Sequence, residues 1–167
     1  MNKCIFLDRD GVINKDYVDY VYTIEKFEFL PRVKEAFKLL KDNGYLLIVI
    51  TNQSGVVKEI YKESDVWNVH NHIQSETDNI LDDIYYAPYH ENWTNSLTRK
   101  PGSLMIERAM AKYDIDPEQS WMIGDKKRDL LPAIKLGINT GLVAEEPIKE
   151  AKITENSLYE LALQIVS

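Results

Sequence analysis

Residues 4–14 have the sequence CIFLDRDGVIN, and they decide the fold class that the chain predicts. The first four are apolar without interruption and include a β-branched and an aromatic side chain, which is typical of a short strand buried on both faces. The polar run DRDG follows at once, and its glycine favours a turn. The stretch therefore predicts a buried strand whose carboxyl end carries two aspartates.

Further short apolar runs repeat this pattern, and amphipathic segments separate them. The predicted strands cover residues 4–7, 45–50, 84–86, 121–123 and 139–143. The predicted helices cover residues 33–40, 66–81, 104–113, 130–136 and 158–166. The first helix ends at the glycine signal Asn43-Gly44, and the second begins at Ser64 or Asp65. This alternation predicts an α/β fold with a parallel sheet between helices, and the absence of a linker predicts a single domain over residues 1–167.

The composition is that of an ordinary globular protein, with 167 residues of which 44% are hydrophobic and 28% charged. No stretch approaches the roughly 20 apolar residues that cross a bilayer, and the first eight residues are too poor in apolar side chains for a signal peptide. Cys4 is the only cysteine, so an internal disulfide is excluded. These features predict a cytoplasmic protein without a membrane partner, and we expect a monomer.

The net charge of −7 argues against a nucleic-acid partner, because nucleic-acid-binding proteins present a basic surface to phosphates. It is compatible with a small anionic substrate, since charges a few ångströms away outweigh screened distant ones. The chain therefore permits a phosphorylated small molecule as its ligand.

Polar clusters follow three of the predicted strands, at the point where each strand ends. They are DRDG at residues 8–11, TNQSG at residues 51–55 and GDKKRD at residues 124–129. Because ligands of parallel sheets bind beyond the carboxyl ends of the strands, these clusters predict one active site.

The carboxylates in these clusters predict a metal site. Asp8 and Asp10 lie so close that their charges repel, and a divalent cation relieves this repulsion. Asp125 arrives from another strand end and supplies a third oxygen ligand. A sparse carboxylate set of this kind suits Mg²⁺ together with a substrate phosphate. One aspartate can then act as nucleophile in an aspartyl-phosphate mechanism, and the other can act as general acid and base.

Neutral and cationic groups complete a site for phosphoryl transfer. Thr51 offers a hydroxyl, and residues 52–55 offer backbone N–H groups to phosphate oxygens. Lys100 offers a cation for the phosphate and for the charged nucleophile. Ser103 is placed to cap the next helix, whose dipole favours an anion.

In combination, four segments resemble the motifs of the haloacid dehalogenase superfamily: DRDGVIN at 8–14, TNQSGV at 51–56, RKPG at 99–102 and GDKxxD at 124–129. The residues of these segments are most similar to those of the branch of D,D-heptose 1,7-bisphosphate 7-phosphatases and histidinol-phosphatases. The resemblance extends over residues 4–143. It implies a three-layer, doubly wound Rossmann-like sheet with strand order 3-2-1-4-5 and no cap domain.

Carried over residue by residue, the resemblance implies that Asp8 is the nucleophile and a metal ligand. It implies that Asp10 is the general acid/base and a ligand through its backbone carbonyl. Asp125 would be the third protein ligand, with the Lys126 carbonyl nearby. Thr51 and Lys100 would assist catalysis, and the implied substrate contacts are Asp16, Tyr20, Thr51, Asn52, Gln53, Ser54, Arg99 and Lys100.

One departure from the branch concerns a zinc site. Members of the branch commonly carry Cys-x-His and Cys-x-Cys before Arg-Lys-Pro, but this chain has Ala-Pro-Tyr at 87–89 and Ser-Leu-Thr at 96–98. None of these is a credible zinc ligand, so we expect no zinc. We expect packing of Tyr89 and Trp93 to hold this loop instead.

The resulting hypothesis is a Mg²⁺-dependent phosphatase that removes the 7-phosphate of D-glycero-D-manno-heptose 1,7-bisphosphate. Three alternatives stay open: a histidinol-phosphate phosphatase, a polynucleotide 3′-phosphatase, and a non-catalytic binding module on the same fold. The second would need a basic track beside the site, and the third would have to leave a complete set of catalytic residues unused.

Overall fold

All strands of the protein run parallel in one sheet, in a computed structural model that describes residues 1–167. In chain order they are β1 (Cys4–Leu7), β2 (Leu46–Asn52), β3 (Asp83–Ala87), β4 (Trp121–Gly124), β5 (Asn139–Val143) and β6 (Ile153–Glu155). Their spatial order is β3-β2-β1-β4-β5-β6. The predicted order 3-2-1-4-5 is confirmed, and β6 adds an edge strand that the sequence did not reveal. Its three residues are only half-buried and include polar side chains, so it lacks a buried apolar run.

Helices cover both faces of this sheet, as predicted. They are α1 (Val33–Asp42), α2 (Glu63–Glu76), α3 (Leu104–Tyr113), α4 (Lys127–Lys135) and α5 (Leu158–Val166). Apolar residues of α1, α2 and α5 pack on one face, and those of α3 and α4 pack on the other. The result is the three-layer arrangement of a doubly wound fold.

Strand β1 lies at the centre and contributes to both cores. Ile5 and Leu7 belong to one core, while Cys4 and Phe6 belong to the other, because successive side chains of a strand point to opposite faces. In the register with its neighbours, Leu7 lies beside Val49 of β2. The carboxyl ends of β1, β2 and β4 therefore meet at one edge of the sheet.

Two predicted helix ends differ from the structure. Helix α2 begins at Glu63, before Ser64 and Asp65, because the Asp65 carboxylate accepts a hydrogen bond from the Lys62 N–H at 2.8 Å. It ends at Glu76, since Asp78 and Asn79 take positive φ angles of 52° and 56° that no helix continues.

Ser103 occupies the N-cap position of α3, but its side chain forms no capping hydrogen bond. The hydroxyl donates to the Glu107 carboxylate one turn later instead. The predicted side-chain cap is therefore wrong, whereas the predicted C-terminal signal of α1 is confirmed by Gly44, which has a φ of 79°.

No domain covers the sheet edge where the strand ends meet. The chain between β1 and α1 contains neither a helix nor a further strand of the sheet, as expected for an enzyme without a cap. None of the helices is both long enough and apolar enough to cross a membrane.

Candidate functional site

A buried lysine and three carboxylates form the centre of the site. Asp8 follows β1, Asp125 and Asp129 follow β4, and Lys100 precedes α3. The Lys100 Nζ lies 2.8 Å from Asp8 Oδ1 and 2.9 Å from Asp129 Oδ1. The Lys100 side chain is only 1% exposed, so its charge is balanced almost entirely by these two carboxylates.

Burial and neighbouring charges determine how Asp8 ionises. Burial raises the pKa of Asp8 to about 7, and the negative charge of Asp129 adds to this increase. The Lys100 ammonium opposes both effects, because an adjacent opposite charge stabilises the ionised carboxylate. Lys100 is therefore the protein group that limits this rise and favours the ionised form of Asp8.

The acidic cluster has the chemistry of a magnesium site. One oxygen from each of Asp8, Asp125 and Asp129 lies within 4.8 Å of the other two. The Asp125 Oδ1 is buried and has no hydrogen-bond partner, which is costly for a carboxylate oxygen unless it binds a ligand. Gly11 makes room for this side chain, since a Cβ at that position would lie 2.4 Å from Asp125 Oδ2. All-oxygen donors of this kind fit Mg²⁺.

Asp129 differs from the other two members of this cluster. Its Oδ2 accepts a hydrogen bond from the Lys126 N–H at 3.0 Å, which caps α4, and its Oδ1 contacts Lys100. Both oxygens are thus used within the protein. The sequence motif contained Asp129, but only the structure reveals that it pairs with Lys100.

Asp10 turns its carboxylate away from this cluster and into a set of donors. Its Oδ1 accepts hydrogen bonds from Arg9 Nη2 at 3.0 Å and from Asn14 Nδ2 at 2.9 Å. Its Oδ2 accepts one from Gln53 Nε2 at 3.0 Å. Burial alone would raise the pKa of Asp10, but Arg9 and the hydrogen bonds outweigh burial and lower it. Asp10 is therefore ionised in this arrangement.

Thr51 and Asn52 end β2 beside these groups. The Thr51 hydroxyl is fully buried and accepts a hydrogen bond from Gln53 Nε2 at 3.0 Å. The Asn52 side chain pairs with the backbone of Lys100, donating to its carbonyl at 3.1 Å and accepting from its N–H at 3.0 Å. Asn52 thus fixes the segment that presents Lys100, a role that the sequence did not predict.

A cavity of about 350 Å³ opens in front of Asp8 and Asp10. Asp16 links the loop after β1 to the segment after β4, because its carboxylate contacts Lys126 Nζ at 2.7 Å. The predicted residues that line it are Asp8, Asp10, Asp16, Tyr20, Asn52, Gln53, Ser54, Arg99 and Lys126. Thr51 and Lys100 lie behind this lining.

Four cationic side chains line this cavity although the chain is acidic: Lys58, Arg99, Lys126 and Arg128. Arg99 was expected to contact substrate and Lys126 to bind the metal through its carbonyl, whereas Lys58 and Arg128 were not predicted. Lys58 Nζ donates to the Tyr20 hydroxyl at 2.8 Å and contacts no carboxylate. An anionic substrate therefore meets positive charge at the mouth of the site.

The loop between β3 and Arg99 is held by polar contacts. Arg99 donates to the Glu91 carboxylate at 2.8 Å and to the Tyr89 carbonyl at 3.1 Å. The side chains expected as anchors are largely exposed, Tyr89 at 41% and Trp93 at 56%. The expectation that their packing anchors the loop is therefore wrong. The Ser96 and Thr98 hydroxyls, at two of the positions expected to lack zinc ligands, hydrogen-bond to each other at 2.7 Å.

Three buried residues near the site escaped the sequence analysis. Arg9 and Asn14 hold Asp10, and Tyr61 contacts Gln53. Arg9 and Asn14 belong to the DRDGVIN segment, so their position beside Asp10 was available as a signal. Tyr61 carries no such signal, because its contact depends on how the turn after β2 folds back.

Known proteins are similar to this chain in both sequence and structure. Residues 97–161 match the family model described as HAD-hydrolase-like. The D-glycero-β-D-manno-heptose-1,7-bisphosphate 7-phosphatase of Haemophilus ducreyi is 36% identical, over 95% of this chain and 96% of that protein. The D-glycero-α-D-manno-heptose-1,7-bisphosphate 7-phosphatase of Photorhabdus laumondii is 36% identical, over 96% of this chain and 94% of that protein.

A solved structure adds a comparison of folds. The D,D-heptose 1,7-bisphosphate phosphatase from B. bronchiseptica, crystallised with magnesium and phosphate, superposes with a TM-score of 0.89. It is 25% identical, and the alignment covers 98% of each chain.

Proposed function

The chain belongs to the heptose-1,7-bisphosphate 7-phosphatase family of the haloacid dehalogenase superfamily and is a phosphatase, and from this premise we propose that it removes the 7-phosphate of D-glycero-D-manno-heptose 1,7-bisphosphate. The observation that carries the proposal is the contact of 2.8 Å between Asp8 and the buried Lys100 at the end of β1. The Lys100 ammonium favours the ionised carboxylate at this place, and that form can attack phosphorus.

Asp8 is the proposed nucleophile. Its carboxylate oxygen attacks the phosphorus atom, and the bond from phosphorus to the sugar oxygen breaks, which leaves an aspartyl-phosphate. Lys100 stabilises the ionised form of Asp8 and stays close to the charge that develops on the phosphoryl oxygens. Water then hydrolyses the aspartyl-phosphate and regenerates the carboxylate.

Asp10 is the proposed general acid and base. Its pKa is lowered in the free site, so it must gain a proton before it can donate one to the departing sugar oxygen. An incoming phosphate raises this pKa, because a neighbouring negative charge disfavours the ionised carboxylate. Asp10 then removes a proton from the attacking water in the second step.

The side chains of Asp8 and Asp125 and the backbone carbonyls of Asp10 and Lys126 are the proposed ligands of Mg²⁺. When bound, Mg²⁺ supplies positive charge that neutralises phosphate oxygens and the clustered carboxylates. Asp129 stays outside this set, since Lys100 and the Lys126 N–H occupy its oxygens. It keeps the ammonium group of Lys100 in place.

The cavity lining supports a substrate with more than one anionic group. Arg99 is within the proposed set of substrate contacts, together with Asp16, Tyr20 and Ser54, and the Lys126 side chain lines the same cavity. The Ser54 backbone N–H makes no hydrogen bond within the protein, so it is free to donate to a phosphate oxygen. Asp16 and Tyr20 offer oxygens for hydroxyl groups of a sugar.

A panel of phosphate esters assayed with Mg²⁺ tests the substrate. It contains both anomers of the heptose 1,7-bisphosphate, histidinol phosphate and a 3′-phosphorylated oligonucleotide. We expect the highest kcat/KM for one of the heptose bisphosphates. A preference of orders of magnitude for histidinol phosphate would overturn the substrate assignment, and hydrolysis of none of these esters would favour a binding module.

Four further properties belong to the proposal. We propose a single domain, because all strands join one sheet. We propose that the enzyme acts as a monomer without a nucleic-acid partner, since one chain supplies every group named above and its net charge is −7. We propose a cytoplasmic location, because a sugar bisphosphate is too highly charged to cross a membrane unaided.

A further inference from the structure

Gln53 has no free donor to offer a substrate. Its Nε2 donates to Asp10 Oδ2 and to Thr51 Oγ1, both at 3.0 Å, and its backbone N–H donates to the Ala87 carbonyl at 2.8 Å. Its Oε1 accepts a hydrogen bond from the Tyr61 hydroxyl at 2.9 Å. The side chain is 2% exposed, so these protein contacts define its role.

The orientation of the Gln53 side-chain amide decides whether its NH₂ group or its carbonyl oxygen faces the Asp10 carboxylate. Rotating the amide by half a turn would exchange its NH₂ group for its carbonyl oxygen and point that oxygen at a carboxylate. Tyr61 opposes this rotation, because its hydroxyl donates to Oε1 and so keeps the NH₂ group towards Asp10 and Thr51. Burial raises the pKa of Tyr61, which keeps the hydroxyl protonated.

The Tyr61 ring is fixed by its surroundings. It is 5% exposed and stacks on Tyr22, with ring centroids 5.0 Å apart and an angle of 16° between the rings. The Tyr20 ring packs against it in an edge-to-face arrangement, with ring centroids 5.6 Å apart. Gly55 is needed for this position, since a Cβ there would lie 2.0 Å from the Tyr61 ring. The hydroxyl therefore points at Gln53 from a rigid support.

We propose that Tyr61 is a positioning residue for the reaction: its hydroxyl orients Gln53, and Gln53 holds the carboxylate of Asp10 where it meets the leaving group. Tyr61 does not line the cavity, so it acts only through Gln53. The inference rests on the proposed role of Asp10 as general acid.

Tyr61→Phe removes only the hydroxyl, and Tyr22→Phe is the matched control. The Tyr22 ring packs in the same cluster, but its hydroxyl forms no hydrogen bond in the protein. With an alkyl phosphate such as a sugar phosphate, we expect Tyr61→Phe to lower kcat/KM about tenfold, the effect of losing one hydrogen bond of ordinary strength. With an aryl phosphate, whose leaving group needs no proton, kcat/KM should change less than about twofold. Tyr22→Phe should change neither value.

If Tyr61 only stabilised the fold, Tyr61→Phe would lower kcat/KM for both esters by the same factor, and that result would overturn the inference. The double variant Tyr61→Phe/Gln53→Leu should be no slower than Gln53→Leu alone, because both changes interrupt one chain of contacts. Additive losses would contradict action through Gln53.

A readout without turnover separates this inference from the proposed function. In ¹H–¹⁵N NMR spectra, the Gln53 side-chain amide should give one pair of resonances in the wild type and an averaged or doubled pair in Tyr61→Phe. An unchanged pair would overturn the inference whatever the enzyme hydrolyses. Failure of the wild type on every phosphate ester would instead count against the proposed function.

Discussion

Removing the charge of Lys100 should destabilise the protein strongly when no metal is present. Lys100 lies 2.8 Å from Asp8 and 2.9 Å from Asp129 and is 1% exposed. At an effective dielectric constant of about 20, each contact corresponds to about 6 kcal/mol of Coulomb attraction, which the cost of burying the charges largely offsets. Deleting one partner leaves that cost without the attraction, so Lys100→Met should lower the free energy of unfolding by about 3–5 kcal/mol.

Lys38→Met provides the matched control for this measurement. Lys38 forms an ion pair of 2.9 Å with Asp42, and the two side chains are 74% and 61% exposed. Exposed pairs contribute little, so the loss should stay below about 1 kcal/mol. Urea denaturation in the presence of a chelator measures both variants.

Asp129→Asn completes a double-mutant cycle with Lys100→Met. The two losses should be non-additive by about 1–3 kcal/mol, because removing Asp129 also removes the charge that Lys100 leaves unpaired. If Lys100→Met and Lys38→Met lost the same small free energy, or if the cycle were additive, the reasoning about this buried ion pair would be refuted.

Three other outcomes are expected. Asp8→Asn should lose nearly all phosphatase turnover while its circular dichroism spectrum is unchanged, because the amide is nearly isosteric but a poor nucleophile; retained turnover would contradict its role. Burial lowers the pKa of His70, in α2, to about 3, so the unfolded chain binds a proton more readily than the folded one. Between about pH 7 and about pH 5 the wild type should therefore lose about 2 kcal/mol more of its unfolding free energy than His70→Phe. Equal losses would show that His70 does not titrate in this way. Metal analysis of the purified protein should find no tightly bound zinc, and one equivalent per chain would refute that expectation.

The strand ends could be predicted because local sequence defines them. Apolar runs such as residues 4–7 need burial on both faces, and the polar clusters after them have no place inside a core. The parallel arrangement then brings Asp8 and Asp125 to one edge of the sheet without any knowledge of side-chain contacts. The central part of the site was therefore visible in the sequence.

Contacts between distant segments were not predictable in the same way. Asn52 and Lys100 are 48 residues apart, and nothing in either segment indicates that the Asn52 side-chain amide forms two hydrogen bonds with the Lys100 backbone. Strand β6 was missed because an edge strand of three half-buried residues shows no apolar run. Gln53 was expected to contact substrate, and only its four protein partners reveal that it serves Asp10.

The stereochemical course at phosphorus tests most directly whether a carboxylate of the protein is phosphorylated during turnover. The substrate is a phosphorothioate ester made chiral at phosphorus with two oxygen isotopes, it is hydrolysed in water of the third isotope, and the configuration of the released inorganic thiophosphate is determined. Attack by Asp8 and then by water inverts the configuration twice, so we predict net retention. Net inversion would mean that water attacks the ester directly, and it would contradict the aspartyl-phosphate mechanism.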